Sequence, residues 1–298
     1  MKISYAMIIA ASFVFVNMMI FFMHIFQNGG FGIESTFQRK LHTFYAKIEP
    51  FVVRTIDKML KNRFLKGNKI GRSFLKFTGK LLWFLPHGIV IDHEAAIRLI
   101  DNIPKDDNLH IAIGPCVCKK AIGVNKEPYV TDMVIMYGAQ AYKSAHPEEY
   151  KYISPEEAKA LLANFRENNL IHEVFACFKS KSWTFVICNC DANYCIPTRS
   201  KLIAGEGVYA GPLYAIVDAE KCEGLEKCGI CKNVCKFNAI KEDSSGKAFV
   251  IKEKCMGCSL CIFNCPNKAR KMIPRENYDP KFLPIEYTHP NLWNLYKK

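Results

Sequence analysis

The start of the chain is almost uniformly apolar, and residues 3–26 contain no Asp, Glu, Lys or Arg. As a helix rising about 1.5 Å per residue, this run spans about 30 Å, the thickness of a hydrocarbon core. A cleaved signal peptide is the alternative, but its apolar region is shorter and precedes a small-residue cleavage site, which QNGGFGIE does not offer. We therefore predict a transmembrane anchor over residues 1–27.

Residues 28–82 place apolar side chains at close to helical period among basic ones. The apolar positions are Phe44, Ile48, Phe51, Val52, Ile56, Met59 and Leu60. Basic residues far outnumber acidic ones here, whereas Lys2 alone precedes the apolar run. Because positive flanks stay inside, we predict a basic juxtamembrane region, with the remaining domains in the cytoplasm. Its basic face can lie on anionic headgroups, on an acidic partner or in solvent, whereas nucleic acid is not an expected partner.

In residues 83–204 strand and helix patterns alternate. NLHIAIG at 108–114 and SWTFVICNC at 182–190 are typical of strands. Asp92 can cap a helix over HEAAIRLID, and Ser154 forms a capping box with Glu157 at the start of another helix. The second helix carries an apolar face of Ala158, Leu161, Leu162 and Phe165. These patterns predict an α+β domain.

Composition changes this picture chiefly through cysteine, of which there are 14 in 298 residues. A small secreted protein uses many cysteines as disulfides, but this chain is long enough for two compact domains. Eight of its cysteines fall in two tight runs that suit metal ligation. We therefore expect a reducing compartment. The formal net charge of +13 adds little, because the excess lies mainly in the juxtamembrane region.

The two runs are CEGLEKCGICKNVC at 222–235 and CMGCSLCIFNCP at 255–266. The second has the C-x2-C-x2-C-x3-C-P spacing, and the preceding IVDAEKC and FVIKEKC make an internal repeat. Residues 213–275 therefore resemble a bacterial-type ferredoxin with two 4Fe-4S clusters. The first run departs from the pattern by its longer first spacing and by Lys236 in place of Pro266. Zinc is the alternative, because sets of four cysteines also bind that metal.

The resemblance also implies which cysteines hold each cluster, since the last cysteine of each run ligates the other cluster in this family. The ligands of cluster one are then four cysteines that we call set one: Cys222, Cys228, Cys231 and Cys265. Cluster two takes set two, which is Cys255, Cys258, Cys261 and Cys235. The exchange ties both halves into one unit. Neither run contains the C-x2-C-H motif of covalent haem attachment, and GEGVYAG at 205–211 is interpreted as a flexible joint.

A further group of cysteines lies in the middle domain. In an extended strand Cys188 and Cys190 project to the same side, and GPCVC repeats this spacing with Cys116 and Cys118. With Cys195, these residues predict a possible third metal site, either an iron-sulfur cluster or zinc. Free buried thiols are the alternative, and Cys177 is interpreted as a core thiol.

The middle domain also resembles an uncharacterised cysteine-rich domain found before ferredoxin modules in anaerobic bacteria and archaea. That domain has a C-x-C-R strand end and a later C-N-C-C segment; here Lys119 replaces the Arg and Asp191 the last Cys. The resemblance implies no activity. Asp191 can accept a proton at a metal site or cap a turn. The scattered His87, His93, His110 and His172 are assigned no role.

The predicted fold class is α+β, with an N-terminal transmembrane helix, a cysteine-rich α+β middle domain and a C-terminal ferredoxin-like dicluster domain. The predicted divisions are 1–27, 28–82, 83–204, a linker at 205–212, 213–275, and a C-terminal tail at 276–298. We predict a single-pass membrane iron-sulfur protein that carries electrons between a soluble and a membrane redox partner. No catalytic residue is assigned. The alternatives are a reductase whose middle-domain metal is fed by the ferredoxin clusters, and a redox sensor or assembly platform.

Overall fold

The computed structural model describes residues 36–81, 87–103, 110–176, 184–280, 283 and 285–296. The helices are α1 Thr36–Lys61, α2 Arg63–Gly67, α3 Lys69–Leu81, α4 His93–Asp101, α5 Val117–Ile122, α6 Tyr137–Ala145, α7 Pro155–Glu167, α8 Ile196–Ala204, α9 Ile230–Val234, α10 Leu260–Phe263, α11 Ile285–Thr288 and α12 Trp293–Tyr296, with a 3-10 turn at Pro290–Leu292. The strands are β1 His87–Ile91, β2 His110–Pro115, β3 Val130–Met136, β4 Lys151–Ile153, β5 Ile171–Ala176, β6 Thr184–Cys190, β7 Val208–Tyr209, β8 Leu213–Val217, β9 Ile240–Glu242, β10 Ala248–Val250 and β11 Arg270–Pro274.

The prediction of a transmembrane helix requires correction. Among the described residues, no helix has both the length and the apolar composition that a membrane crossing requires. The longest of them, α1, carries lysines and arginines along its length, and charged side chains are costly inside hydrocarbon. Residues 3–26, on which the prediction falls, lie outside the described residues. The described residues are compatible with a mixed α/β fold, and they do not support the predicted membrane span.

The core of the molecule is a sheet of seven strands in the order β4-β2-β3-β6-β5-β1-β7. Neighbouring strands run antiparallel, except that β7 pairs parallel with β1. The strand β7 comes from the GEGVYAG segment, so this segment adds to the sheet. The strand patterns at 108–114 and 182–190 are confirmed by β2 and β6.

The two faces of this sheet are covered by different elements because side chains alternate along each strand. One face packs an apolar core against α4 and α7, and α11 and α12 add Ile285 and Tyr296 to it. The other face carries Val134, Phe175 and Val186 and packs against α1 and α6. Among the described residues, the cysteines of the sheet lie on this second face, which is called the cysteine face below.

The helices begin where the sequence indicates. The Asp92 side chain accepts a hydrogen bond of 3.1 Å from the Ala95 backbone N–H, which starts α4. Ser154 and Glu157 form the predicted capping box at the start of α7. Behind this box Ala158, Leu162 and Phe165 are buried against the sheet, and Leu161 is partly buried. Both predicted caps are confirmed.

Helix α1 is the predicted amphipathic helix, and it lies on the cysteine face. Arg54 Nε donates to the Ala121 carbonyl oxygen over 2.8 Å, and Arg199 forms an ion pair of 2.6 Å with Asp57. Tyr142 donates a short hydrogen bond to Glu49 from the facing helix α6. Part of the basic helix is therefore docked on the middle domain through charged and polar contacts.

The C-terminal region is built from short elements that contact the large sheet. The strands β8 and β11 pair antiparallel, as do β9 and β10. The Gly211 backbone N–H donates to the Met256 carbonyl oxygen over 2.9 Å, and Arg275 Nε donates to Gly211 over 2.8 Å. These bonds attach the loop of the second cysteine run to the end of the sheet domain.

Candidate iron-sulfur centre and cysteine face

Set one converges on a single cavity in the C-terminal region. Its four cysteines, which are far apart in sequence, all line this cavity: Cys222, Cys228, Cys231 and Cys265. Cys265 comes from the second run, so the structure brings the last cysteine of one run to the first three of the other. The resemblance groups the same four cysteines, and their ligation of a cluster stays a prediction.

The members of set two also lie near one another. Burial raises the pKa of Cys258 well above its ordinary value, and the neighbouring Cys261, Cys255 and Cys235 raise it further. Burial likewise raises the pKa of Cys261 to about 12, with contributions from Cys255 and Cys235. Thiols in this condition are protonated in the apoprotein. Coordination to a metal removes the proton, because the thiolate is the ligand.

Arg270 connects the two sets. It is the first residue of β11, is 7% exposed, and donates from Nη2 to Cys231 Sγ over 2.8 Å. It also forms a side-chain hydrogen bond with Cys261, which lowers the pKa of that thiol against the effect of burial. Its Nη1 is buried without a hydrogen-bond partner among the described residues. A buried cation with an unused donor suits the anionic sulfurs of a cluster, so the residues fit this group.

Comparison with known proteins agrees with this geometry. Residues 248–271 match the family model Fer4, the 4Fe-4S binding domain. Over 61 residues the chain is 36% identical to the pyruvate synthase subunit PorD of Methanocaldococcus jannaschii, covering 20% of this chain and 67% of PorD. The chain belongs to the 4Fe-4S ferredoxin family. No solved structure matches it.

The ferredoxin domain thus carries a 4Fe-4S cluster and gives the chain a role in iron-sulfur electron transfer. The matched segment 248–271 contains the whole second run. The similarity to PorD covers a fifth of the chain and therefore describes the ferredoxin domain only.

Outside the ferredoxin domain, the structure brings together the middle-domain cysteines predicted from sequence. They line one cavity of about 110 Å³ on the cysteine face, and we call them the sheet-face cysteines: Cys116, Cys118, Cys188, Cys190 and Cys195. Cys188 and Cys190 lie on β6, as the alternation of the strand predicts. Cys116 precedes α5, Cys118 lies on its first turn, and Cys195 precedes α8. Helix α1 covers the cavity through Val52, Val53 and Ile56.

The thiols of this group form a continuous series of hydrogen bonds. Cys118 interacts with Cys116 and Cys195, and these contacts raise its pKa well above its ordinary value. Cys190 interacts with Cys188 and Cys195, and these contacts likewise raise its pKa well above its ordinary value. Although burial opposes it, hydrogen bonds from Cys118 and Cys190 hold the pKa of Cys195 well below its ordinary value. Cys195 is therefore the acceptor at the centre of the series.

Carboxylates that the sequence reasoning missed lie beside these thiols. In the sheet register Cys188 pairs with Asp132 on β3 and with Glu173 on β5, so all three side chains share one face. Cys188 Sγ donates to Asp132 over 3.2 Å, and Cys195 Sγ lies 3.9 Å from Glu173 Oε2. Burial raises the pKa of Asp132 to about 6 and that of Glu173 well above its ordinary range. Only strand register, which requires the fold, could have revealed them.

The sheet-face cysteines also contact the ferredoxin domain. Cys190 and Cys195 belong to an apolar cluster that includes Met256 and Leu260 from the second cysteine run, and Cys258 of set two packs against it. The third predicted site and set two are therefore separated by a shared, closely packed layer rather than by solvent.

The remaining predicted residues have ordinary roles or lie elsewhere. His93 and His172 contact each other over 3.2 Å, and His172 contacts Asn189 over 2.7 Å. Asn189 lies between Cys188 and Cys190 on β6, and its partner His172 precedes Glu173 on β5, so both side chains point away from the cysteine face. Asp191 accepts a hydrogen bond of 3.0 Å from the Asn193 backbone, which confirms the interpretation as a turn cap. Cys177 lies outside the described residues.

Proposed function

We propose that the chain is an electron carrier whose ferredoxin domain holds two 4Fe-4S clusters. Cys222, Cys228, Cys231 and Cys265 would hold cluster one, and Cys255, Cys258, Cys261 and Cys235 would hold cluster two. The main support is the position of Cys265, which belongs to the second run but lines the same cavity as Cys222, Cys228 and Cys231 of the first run. Each cluster supplies a one-electron acceptor, and the polypeptide keeps the two close together.

The surroundings of both sets support this role. Cys231 and Ala248 belong to one small apolar core, against which Cys222, Cys235 and Cys261 pack. Burial in such a core and hydrogen bonds to the sulfurs are the protein's means of setting a reduction potential. Arg270 provides the charged hydrogen bond, and the Ala239 N–H donates to Cys235 Sγ over 3.4 Å.

The proposed partner is a redox enzyme assembled from several subunits. The similarity to a pyruvate synthase subunit supports this class of partner. A cytoplasmic location is also proposed, because no cysteine among the described residues forms a disulfide and unbridged cysteines persist in reducing compartments. A partner in the membrane is not part of the proposal, since its main support was the predicted transmembrane helix.

Anaerobic analysis of the full-length protein tests the number of clusters. We expect at least about eight irons and about eight acid-labile sulfides per chain, because each cluster contributes four of each. Electron paramagnetic resonance of the reduced protein should show two interacting clusters. Zinc bound in stoichiometric amount without sulfide would overturn the proposal.

Alanine variants test the exchange of ligands between the runs. Cys265→Ala should give the same residual spectrum as Cys228→Ala, although Cys265 lies in the other run. Cys235→Ala should instead match Cys261→Ala. If Cys265→Ala matched Cys261→Ala, each run would hold its own cluster and the ligand assignment would be wrong.

A second candidate function is a reductase fed by the ferredoxin clusters. The observation that favours it is the cavity against the sheet-face cysteines, which is also lined by Glu49 and Asp132. A concave site that combines metal ligands with buried acids suits proton-coupled reduction. Reduced protein that turns over no small substrate, with the cavity metal fully ligated by sulfur, would count against this function.

A further inference from the structure

The spacing of the sheet-face cysteines indicates the kind of metal centre that they suit. A zinc ion bound tetrahedrally at about 2.3 Å requires sulfurs about 3.8 Å apart. Among the described residues, only Glu173, Cys190 and Cys195 have their ligand atoms mutually within 4.8 Å. Cys116, Cys118 and Cys188 contact their neighbours in the series one pair at a time and join no such compact group. A single ion would therefore use the compact group of Glu173, Cys190 and Cys195, whereas the five thiols together exceed the four ligands of a tetrahedral ion and suit a cluster of several metal ions.

The backbone around these thiols resembles that of the ferredoxin sets. The Ile196 N–H donates to Cys118 Sγ over 3.4 Å, and the backbone of Lys119 donates to Cys116. In the ferredoxin domain Ala239 N–H makes the same kind of bond to Cys235, also over 3.4 Å. Hydrogen bonds to cysteine sulfur stabilise thiolates and adjust the potential of iron-sulfur clusters.

A buried lysine, Lys119, follows Cys118 on helix α5. Lys119 is 1% exposed, and its Nζ donates to the carbonyl oxygens of Lys126 over 3.0 Å and Pro128 over 2.7 Å. Among the described residues no carboxylate pairs with it. These two bonds tie the segment at 126–128 to α5, the helix whose first turn carries Cys118.

We propose that the sheet-face cysteines hold a third iron-sulfur cluster, which exchanges electrons with the cluster at set two. The exchange rests on the proposed function, whereas the third cluster stands on the cysteine face alone. The apolar layer of Met256 and Leu260 joins the two sites. In each exchange one centre loses one electron, the other gains it, and no bond forms or breaks. The redox partner is the external donor or acceptor.

Counting iron, sulfide and zinc in the full-length chain, reconstituted anaerobically with iron and sulfide, tests the third cluster. We expect iron and sulfide above the about eight per chain that two 4Fe-4S clusters explain. The double variant Cys118→Ala with Cys195→Ala should return both counts to about eight and keep the ferredoxin spectrum. The matched control is Val186→Ala, which changes the lining of the same cavity without removing a thiol and should keep the higher counts.

Electron paramagnetic resonance tests the exchange. In reduced wild-type protein the signal of cluster two should be broadened by the third centre. The broadening should persist in Cys228→Ala, which affects cluster one, and should disappear in the double variant. An unchanged signal in the double variant, despite the loss of iron, would overturn the exchange.

The outcomes separate the two proposals. A wild-type count of about eight irons, unchanged in the double variant, would overturn the third cluster and leave the ferredoxin clusters in place. One zinc without additional sulfide would overturn it as well. Loss of iron in the double variant, with no effect of Cys228→Ala or Cys261→Ala, would overturn the ferredoxin assignment instead. If the double variant does not fold, the wild-type counts decide.

Discussion

The ferredoxin cysteines and the sheet-face cysteines are brought together in different ways. Sets one and two come from two short runs, and short helices and turns place their thiols. The sheet-face cysteines come from three separate segments between residues 116 and 195, and a seven-stranded sheet aligns them. Spacing along the chain therefore defines the first group, whereas strand register defines the second.

The charges around the two groups also differ. The buried side chain that joins the ferredoxin sets is a cation, Arg270. The sheet-face cysteines lie beside the acids Asp132 and Glu173, and Glu49 lines the same cavity. Fixed positive charge favours reduced clusters, whereas acids that exchange protons make a site sensitive to pH. The potentials of the ferredoxin clusters should therefore depend on a fixed charge, whereas the cysteine face should respond to pH.

Removal of iron should separate the two regions most strongly. The ferredoxin domain has only short strands and helices, so binding of its clusters contributes much of its folding free energy. The sheet domain has a large apolar core of its own. In hydrogen exchange of the apoprotein, amides of 213–275 should lose protection while those of β2, β3 and β5 keep it. Equal loss of amide protection in both regions would show that the sheet domain also depends on iron for its folding.

The close approach of the second cysteine run to the start of β8 should depend on Gly257. Its φ is +89°, and a Cβ there would lie 2.6 Å from the Leu213 carbonyl oxygen. Gly257→Ala should lower stability by about 3 kcal/mol, since positive φ costs about 1–2 kcal/mol and the backbone must also move. Gly123→Ala is the control, because its φ is +72° but nothing lies within 4 Å of the added Cβ. Equal urea midpoints for the two variants would argue against the contact.

Glu49 should make the cysteine face sensitive to pH. Burial, with Asp132 nearby, raises its pKa from 4.5 to about 8. The folded protein then binds more protons than the unfolded chain between these values, so stability should fall as pH rises through this window, by up to about 1.4 kcal/mol per pH unit. Glu49→Gln should flatten the dependence of the urea midpoint on pH between 5 and 8. The exposed Glu156→Gln is the control and should keep the slope of the wild type.

Arg270 should affect the reduction potentials of both ferredoxin clusters. A hydrogen bond from a charged group contributes about 1.5–3 kcal/mol. Arg270→Gln removes the positive charge that donates to the Cys231 sulfur. We expect potentials lower by roughly 60–130 mV, since about 1.4 kcal/mol corresponds to 59 mV for one electron. The exposed neighbour Lys271→Gln should shift them much less in a spectroscopic redox titration. Equal shifts would show that only net charge matters.

The two regions also differ in how far sequence could predict them. The runs at 222–235 and 255–266 contain the spacing on which the resemblance to a ferredoxin depends, and that resemblance implied the division into set one and set two. The alternation of β6 predicted that Cys188 and Cys190 share a face. The neighbours Asp132 and Glu173 could not be predicted, because they meet Cys188 only through pairing of strands distant in sequence. Arg270 was missed for a similar reason, since its contact to Cys231 depends on how β11 folds back.

The most direct measurement is an anomalous difference map at the iron absorption edge, from a crystal of the reconstituted full-length chain. The account predicts iron enclosed by set one, with Cys265 beside Cys228, and iron enclosed by set two, with Cys235 beside Cys258. It also predicts iron against Cys118 and Cys195 on the cysteine face. Absence of iron from either ferredoxin set, or a signal at the zinc edge in its place, would contradict the central claim that this domain holds two iron-sulfur clusters.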